Sequence, residues 1–153
     1  MQGATRRLAA GLAASMLTVG AAFAAEFHAT TDVAVMYDAP SVRAKPLFAL
    51  GRDYPVETIV SVEGWMKVRD AAGTVAWIEK KLVGDKRVVV VRVPTADVLA
   101  APESGAAPVF KAEQNVLLEL ADPAYKSSTP GWAKVRHRDG QVGFIRLQQV
   151  WGL

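Results

Sequence analysis

The chain has 153 residues, 51% of them hydrophobic and 22% charged, with a formal net charge of +3 and no cysteine. That length admits one ordinary domain or two very small ones, and the composition excludes wholesale disorder. The missing cysteines exclude disulfides, cysteine-based zinc sites, iron–sulfur clusters and thiol catalysis together.

The first predicted element is a leader over residues 1–24. Arg6 and Arg7 form a short positive start, Leu8 to Ala22 is uncharged, and Ala22-Phe23-Ala24 places small residues at −3 and −1. This is the layout of a helical, cleaved signal peptide with its cut after Ala24. The apolar stretch is shorter than the ~18–20 residues a membrane span needs. The mature form is therefore expected in the periplasm or secreted, with no stable membrane span. Without disulfides its stability has to come from packing.

Self-comparison shows an internal repeat. Residues 63–83 (EGWMKVRDAAGTVAWIEKKLV) align without a gap on residues 130–150 (PGWAKVRHRDGQVGFIRLQQV), and nine of the 21 positions are identical. Upstream, Asp38-Ala39-Pro40 and Pro46-Leu47-Phe48 face Ala100-Ala101-Pro102 and Pro108-Val109-Phe110 at a spacing five residues smaller. The extra residues of the second copy fall in the loop-like stretch 122–130. That stretch reads either as a tolerated insertion or as a source of separate specificity through Tyr125. The expected organisation is a leader over 1–24, a first unit over 25–86 and a second over 87–153.

Each unit reads as β-structure. Leu47–Leu50, Tyr54–Val62, Trp65–Arg69, Thr74–Ile78 and Val116–Leu120 are rich in β-branched, aromatic and aliphatic residues. Gly73 and Gly140 close the expected hairpin turns, where positive φ is needed. Scattered prolines argue against long helices. The valine run Val88–Val91 is expected to be buried on both faces, opening the second unit against the first. Trp151 is expected to pack the C-terminus. The fold class is all-β, with two small tandem barrels behind the leader.

Strand alternation sorts the hairpin residues onto two faces. Met66, Val68, Ala76 and Ile78, with Ala133, Val135, Gly143 and Ile145, suit an interior. Trp65, Lys67, Arg69, Val75 and Trp77 share the other face in the first unit. Trp132, Lys134, Arg136, Val142, Phe144 and Arg146 do so in the second. Aromatic rings give apolar area with a polar tip, and the cations can pair with carboxylates. This face reads either as a shallow ligand groove or as a structural seal.

The pattern Gly-Trp-x-Lys-Val-Arg, a turn with Gly, then Val-x-aromatic-Ile resembles the bacterial SH3 (SH3b) family. Gly64-Trp65, Gly73 and Trp77-Ile78 carry it in the first unit, and Gly131-Trp132, Gly140 and Phe144-Ile145 carry it in the second. Asp38-Ala39-Pro40-Ser41 is similar to the family's Gly-Pro-Ser stretch. The resemblance implies two tandem SH3-like β-barrels that bind peptides, cell-wall components or partner proteins, without catalysis by the barrel. It also brings Tyr37 into the first groove. The candidate ligand-binding residues are Tyr37, Trp65, Lys67, Arg69 and Trp77, with Trp132, Lys134, Arg136 and Phe144. The expected partner is peptidoglycan or a peptide or protein ligand. The alternatives are a periplasmic adaptor subunit and, more remotely, a cell-wall hydrolase.

No catalytic, metal or cofactor site is expected. His28 and His137 are scattered and read as solvent residues. No serine stands in a Gly-x-Ser-x-Gly context, and there is no phosphate-cradling glycine loop. Removing the leader takes Arg6 and Arg7 from the 18 basic residues, leaving 16 against 15 acids. Nonspecific nucleic-acid binding, which needs a strong basic surplus, is therefore not expected.

Overall fold

A computed structural model describes residues 25–153, so the expected leader and its cut after Ala24 lie outside the described residues. The repeat seen in the sequence is a repeat of topology. Strands β1 (Glu26–Thr30), β2 (Ala34–Tyr37), β3 (Pro46–Leu50), β4 (Pro55–Val62), β5 (Trp65–Arg69), β6 (Val75–Glu79) and β7 (Val83–Gly84) form one sheet. Strands β8 (Val88–Val91), β9 (Thr95–Leu99), β10 (Pro108–Glu113), β11 (Leu117–Leu120), β12 (Trp132–Arg136), β13 (Val142–Arg146) and β14 (Val150–Trp151) form another. The order is β3-β2-β6-β5-β4-β1-β7 in the first and β10-β9-β13-β12-β11-β8-β14 in the second, the same path seven strands on. The described fold is nearly all β, consistent with two small SH3-like barrels. Short 3-10 turns, Lys80–Leu82 and Leu147–Gln149, lead into β7 and β14.

The central hairpins follow from local signals. Trp65 pairs with Glu79 and Arg69 with Val75, while Trp132 pairs with Arg146 and Arg136 with Val142. Gly73 and Gly140 sit at φ 91° and 95° in the turns, where an L side chain is strained. The alternation sends Met66, Val68, Ala76 and Ile78 into one core, and Ala133, Val135 and Ile145 into the other.

Gly143, opposite Val135, meets an additional constraint. A Cβ there would lie 2.6 Å from Val98 Cγ1 and 2.8 Å from the Leu99 carbonyl oxygen. The repeat-equivalent residue in the first unit is Ala76, which is accommodated. Gly143→Ala is expected to cost about 1–3 kcal/mol, because β13 and β9 must separate. The measurement is a lower urea midpoint at unchanged slope.

Val88–Val91 is buried throughout. Val89 and Val91 enter the second core. Val88 and Val90, on the opposite side of the strand, look toward the first unit. Val88 shares a cleft with Arg52 and Asp53, and Val90 shares one with Tyr54. Trp151 packs edge-on against Phe27 of β1, with ring centroids 5.1 Å apart, so the C-terminus is clamped onto the first unit. Arg87 lies over the Phe27 ring and donates to the Gly152 carbonyl at 3.2 Å.

Three readings change. The 122–130 stretch is more than loop: Tyr125–Ser128 forms one helical turn, α1, and Tyr125 is buried in the second core. Asp122 pins the turn by accepting from the Ala124 N–H at 2.8 Å and the Ser128 hydroxyl at 2.5 Å. Tyr125 is thus a core residue rather than a ligand contact. The histidines are half-buried rather than free in solvent. His28 Nδ1 lies 3.0 Å from the Thr58 hydroxyl, and His137 packs on Phe110. Finally, β1, β2, β7, β9, β10 and β14 add to the strands expected from sequence.

Candidate functional site

Register builds the outer face of the first unit row by row, because directly paired residues point to the same side of a sheet. Val60, Lys67, Trp77 and Tyr37 are successive partners across β4, β5, β6 and β2. The next row is Val62, Trp65 and Glu79, and the row on the other side is Glu57, Arg69 and Val75. The Tyr37 and Trp65 rings meet edge to face, 5.7 Å between centroids at 85°. Lys67 Nζ lies 5.7 Å from the Trp77 ring centroid. Tyr37, Trp65, Lys67 and Trp77 are therefore one contiguous, partly exposed patch. Val60, Val62 and Val75 extend it as exposed apolar neighbours. Arg69 stands at its edge with its guanidinium on Glu57, Nη1 to Oε2 2.7 Å.

The matching face of the second unit is closed. Trp132 is 8% exposed. The Arg146 guanidinium lies 4.7 Å over its ring and donates to the Ser104 hydroxyl at 2.6 Å. The insertion holds the other end of this residue, since the Thr129 hydroxyl donates to the Trp132 carbonyl at 3.0 Å. Phe144 is half-buried, paired with Lys134 on one side and with Leu99 on the other. Arg136 is held by Glu119 at 3.3 Å, and Lys134 is exposed. Of the nine candidate residues, four come together on one patch and Arg69 borders it. The other four lie apart, on the second unit, around a covered tryptophan.

Two substitutions within the repeat make this difference. Glu79 is replaced by Arg146 at the position facing the tryptophan, and Tyr37 by Leu99 at the position facing the second ring. The ion pair Glu57–Arg69 is duplicated as Glu119–Arg136. Arg69 and Arg136, one of the two outward cations on each strand, are thus engaged before any ligand arrives. Val60 and Val62, part of the patch, were not among the candidates. Their signal is the β-branched stretch Ile59-Val60-Ser61-Val62 at the end of β4, which reads only as strand.

Three groups carry displaced acidities, and the Asp122 carboxyl is one, lowered by its hydrogen bonds from the Ser128 hydroxyl and then the Ala124 N–H. The Asp139 carboxyl, in the β12–β13 turn, is held down to about 2 by the Gln141 backbone N–H, then by the Gln141 side-chain amide and neighbouring His137. Burial, then the Asp70 carboxylate, push the Tyr54 phenol up. For Asp139 the folded value is the depressed one. Its contribution to stability is present above the ordinary carboxylate range and disappears as pH falls toward 2. A carboxyl NMR titration of Asp139 is expected to show a midpoint near 2, and Gln141→Ala is expected to move that midpoint upward. Among the described residues no group of three His, Cys, Asp or Glu side chains is placed to hold a metal ion. No described helix is long and apolar enough to cross a membrane.

Comparison with known families agrees with the strand pattern. Residues 30–85 match the family model described as bacterial SH3 domain. That segment, from the end of β1 through β7, is a bacterial SH3 domain. Among solved structures the chain is similar to NlpC2 and NlpC1 from Trichomonas vaginalis, at 16% and 17% identity and a TM-score of 0.38 for each. The matches cover 84% and 92% of this chain, which spans about half of theirs, 48% and 50%. No curated protein matches the sequence significantly.

Proposed function

We propose that the protein is a non-catalytic binding module acting outside the cytoplasm, and that it recognises peptidoglycan or its peptides through the first unit. The observation that carries this reading is the open patch of Tyr37, Trp65 and Trp77 with Lys67 among them. Flat rings take up the apolar parts of a peptide or sugar at low entropic cost, and their polar tips keep a hydrogen bond. The ammonium group supplies a charge-assisted partner for a carboxylate, which cell-wall stem peptides carry. These groups bind; none of them is a nucleophile poised beside a base. The extracytoplasmic setting rests on the leader read from residues 1–24.

A second reading is favoured by the exposed valines 60, 62 and 75, which suit the side chains of a protein partner. Purified cell-wall sacculi separate the two. Retention that falls when the stem peptides are stripped supports the first reading. No retention, together with a stable crosslinked protein partner, selects the second.

A further inference from the structure

A cleft of about 640 Å³ runs between the two units, well away from the aromatic patch in the register of the sheets. Its volume is that of an ordinary ligand site. Arg52 and Asp53 come to it from the turn before β4. Glu119, Arg136 and Arg138 come from the second unit, and Lys86 from the connection between them. The two acids are already occupied. Asp53 lies 3.2 Å from Lys86 Nζ, while Glu119 lies 3.8 Å from Lys86 and 3.3 Å from Arg136. Arg52 and Arg138 have no carboxylate within ion-pair range among the described residues. One free guanidinium thus faces the cleft from each unit.

We infer that this cleft is a second binding site, for a short acidic peptide whose carboxylates bridge Arg52 and Arg138. Guanidinium groups grip carboxylates in a two-pronged way, and the pair can engage two carboxylates of one peptide. The cleft wall also contains Val88, Val116 and Leu117. That apolar surface suits aliphatic peptide side chains and is wasted on a bare inorganic anion. Binding there draws on both units at once, so it needs their fixed docking through Phe27–Trp151 and the Lys86 bridge.

The test is a titration of the folded protein, followed by backbone amide NMR, with the acetylated peptide Ala-Glu-Ala-Ala bearing its free C-terminus. The neutral analogue Ala-Gln-Ala-Ala-amide and inorganic phosphate are run in parallel. The expected result is saturable shifts at Arg52, Lys86 and Arg138 with the acidic peptide alone. Arg52→Ala and Arg138→Ala each weaken binding about tenfold, the loss of a charge-assisted contact. Both side chains belong to exposed residues, and unchanged thermal melts establish that the variants are folded. Absent shifts in the cleft, binding indifferent to both substitutions, or equal response to phosphate or the neutral peptide overturns the assignment. The readout is local to the cleft, so its failure leaves the aromatic-patch reading standing.

Discussion

Trp132→Ala is expected to destabilise the protein by about 3–5 kcal/mol, the cost of emptying a buried tryptophan site. A loss of that size lowers Tm by about 10 °C or more in a chain of this length. The ring is covered on its outer side by Arg146, which is itself tethered to Ser104, and the preceding loop is fastened to its backbone through Thr129. On the loop side the space is bounded by α1, which packs on β12 and is anchored from beneath by buried Tyr125. The guanidinium of Arg146 would lose its aromatic partner at the same time. Thermal and urea unfolding measure the effect. Arg146→Ala is the companion variant: it is expected to cost less, about 1–2 kcal/mol, since it removes the cation–π contact and uncovers the ring without opening a hole. A Trp132→Ala variant as stable as the parent would mean that the second unit does not depend on this seal.

The hairpins were legible in sequence because their information is local. Gly73 and Gly140 sit where positive φ is required, and alternating Met66, Val68, Ala76 and Ile78 mark a face within a few residues. The repeat then predicted one topology twice. Strands β1, β2, β9 and β10 were not legible, because their places are set by partners that lie beyond any tight turn. His28 and Ala29 find their places against Val56 and Pro55, and Asp97 against Lys111. Short runs such as Glu26–Thr30 and Thr95–Leu99 carry little β signal of their own. The aromatic face was legible as composition but not as exposure. Whether Trp65 or Trp132 is open depends on the residue opposite it, Glu79 in one unit and Arg146 in the other. The Glu-to-Arg and Tyr-to-Leu changes stand in the repeat alignment, yet they acquire meaning only once register makes them neighbours of the tryptophans. The cleft had no sequence signal, since it arises from the way two units dock. Asp53 and Asn115 are equivalent residues of the repeat, both at positive φ and both at this junction.

The paired variant Trp65→Ala/Trp77→Ala is expected to remove at least nine-tenths of sacculus retention while leaving the fold intact. Both rings lie on the outer face of β5 and β6, and the core beneath them is made by Met66, Val68, Ala76 and Ile78, which the variant does not touch. Aromatic anchors at the centre of a binding patch commonly carry ~2 kcal/mol or more each, so losing two lowers affinity on the order of a hundredfold or beyond. Tyr37 would lose its edge-to-face neighbour, and Lys67 would lose the ring that holds its ammonium over the patch. Lys67→Glu is expected to act differently. It keeps the rings and repels a carboxylate, so it should weaken retention most at low ionic strength, where unscreened charges act farthest. Phe144→Ala in the second unit is expected to leave retention within about twofold, because that ring is flanked by Leu99 and stands beside a covered tryptophan. Full retention by the double variant, with its melting transition unchanged, would remove the first unit's outer face from consideration. Equal losses from the two units would instead mean that Arg146 leaves its tryptophan when ligand arrives.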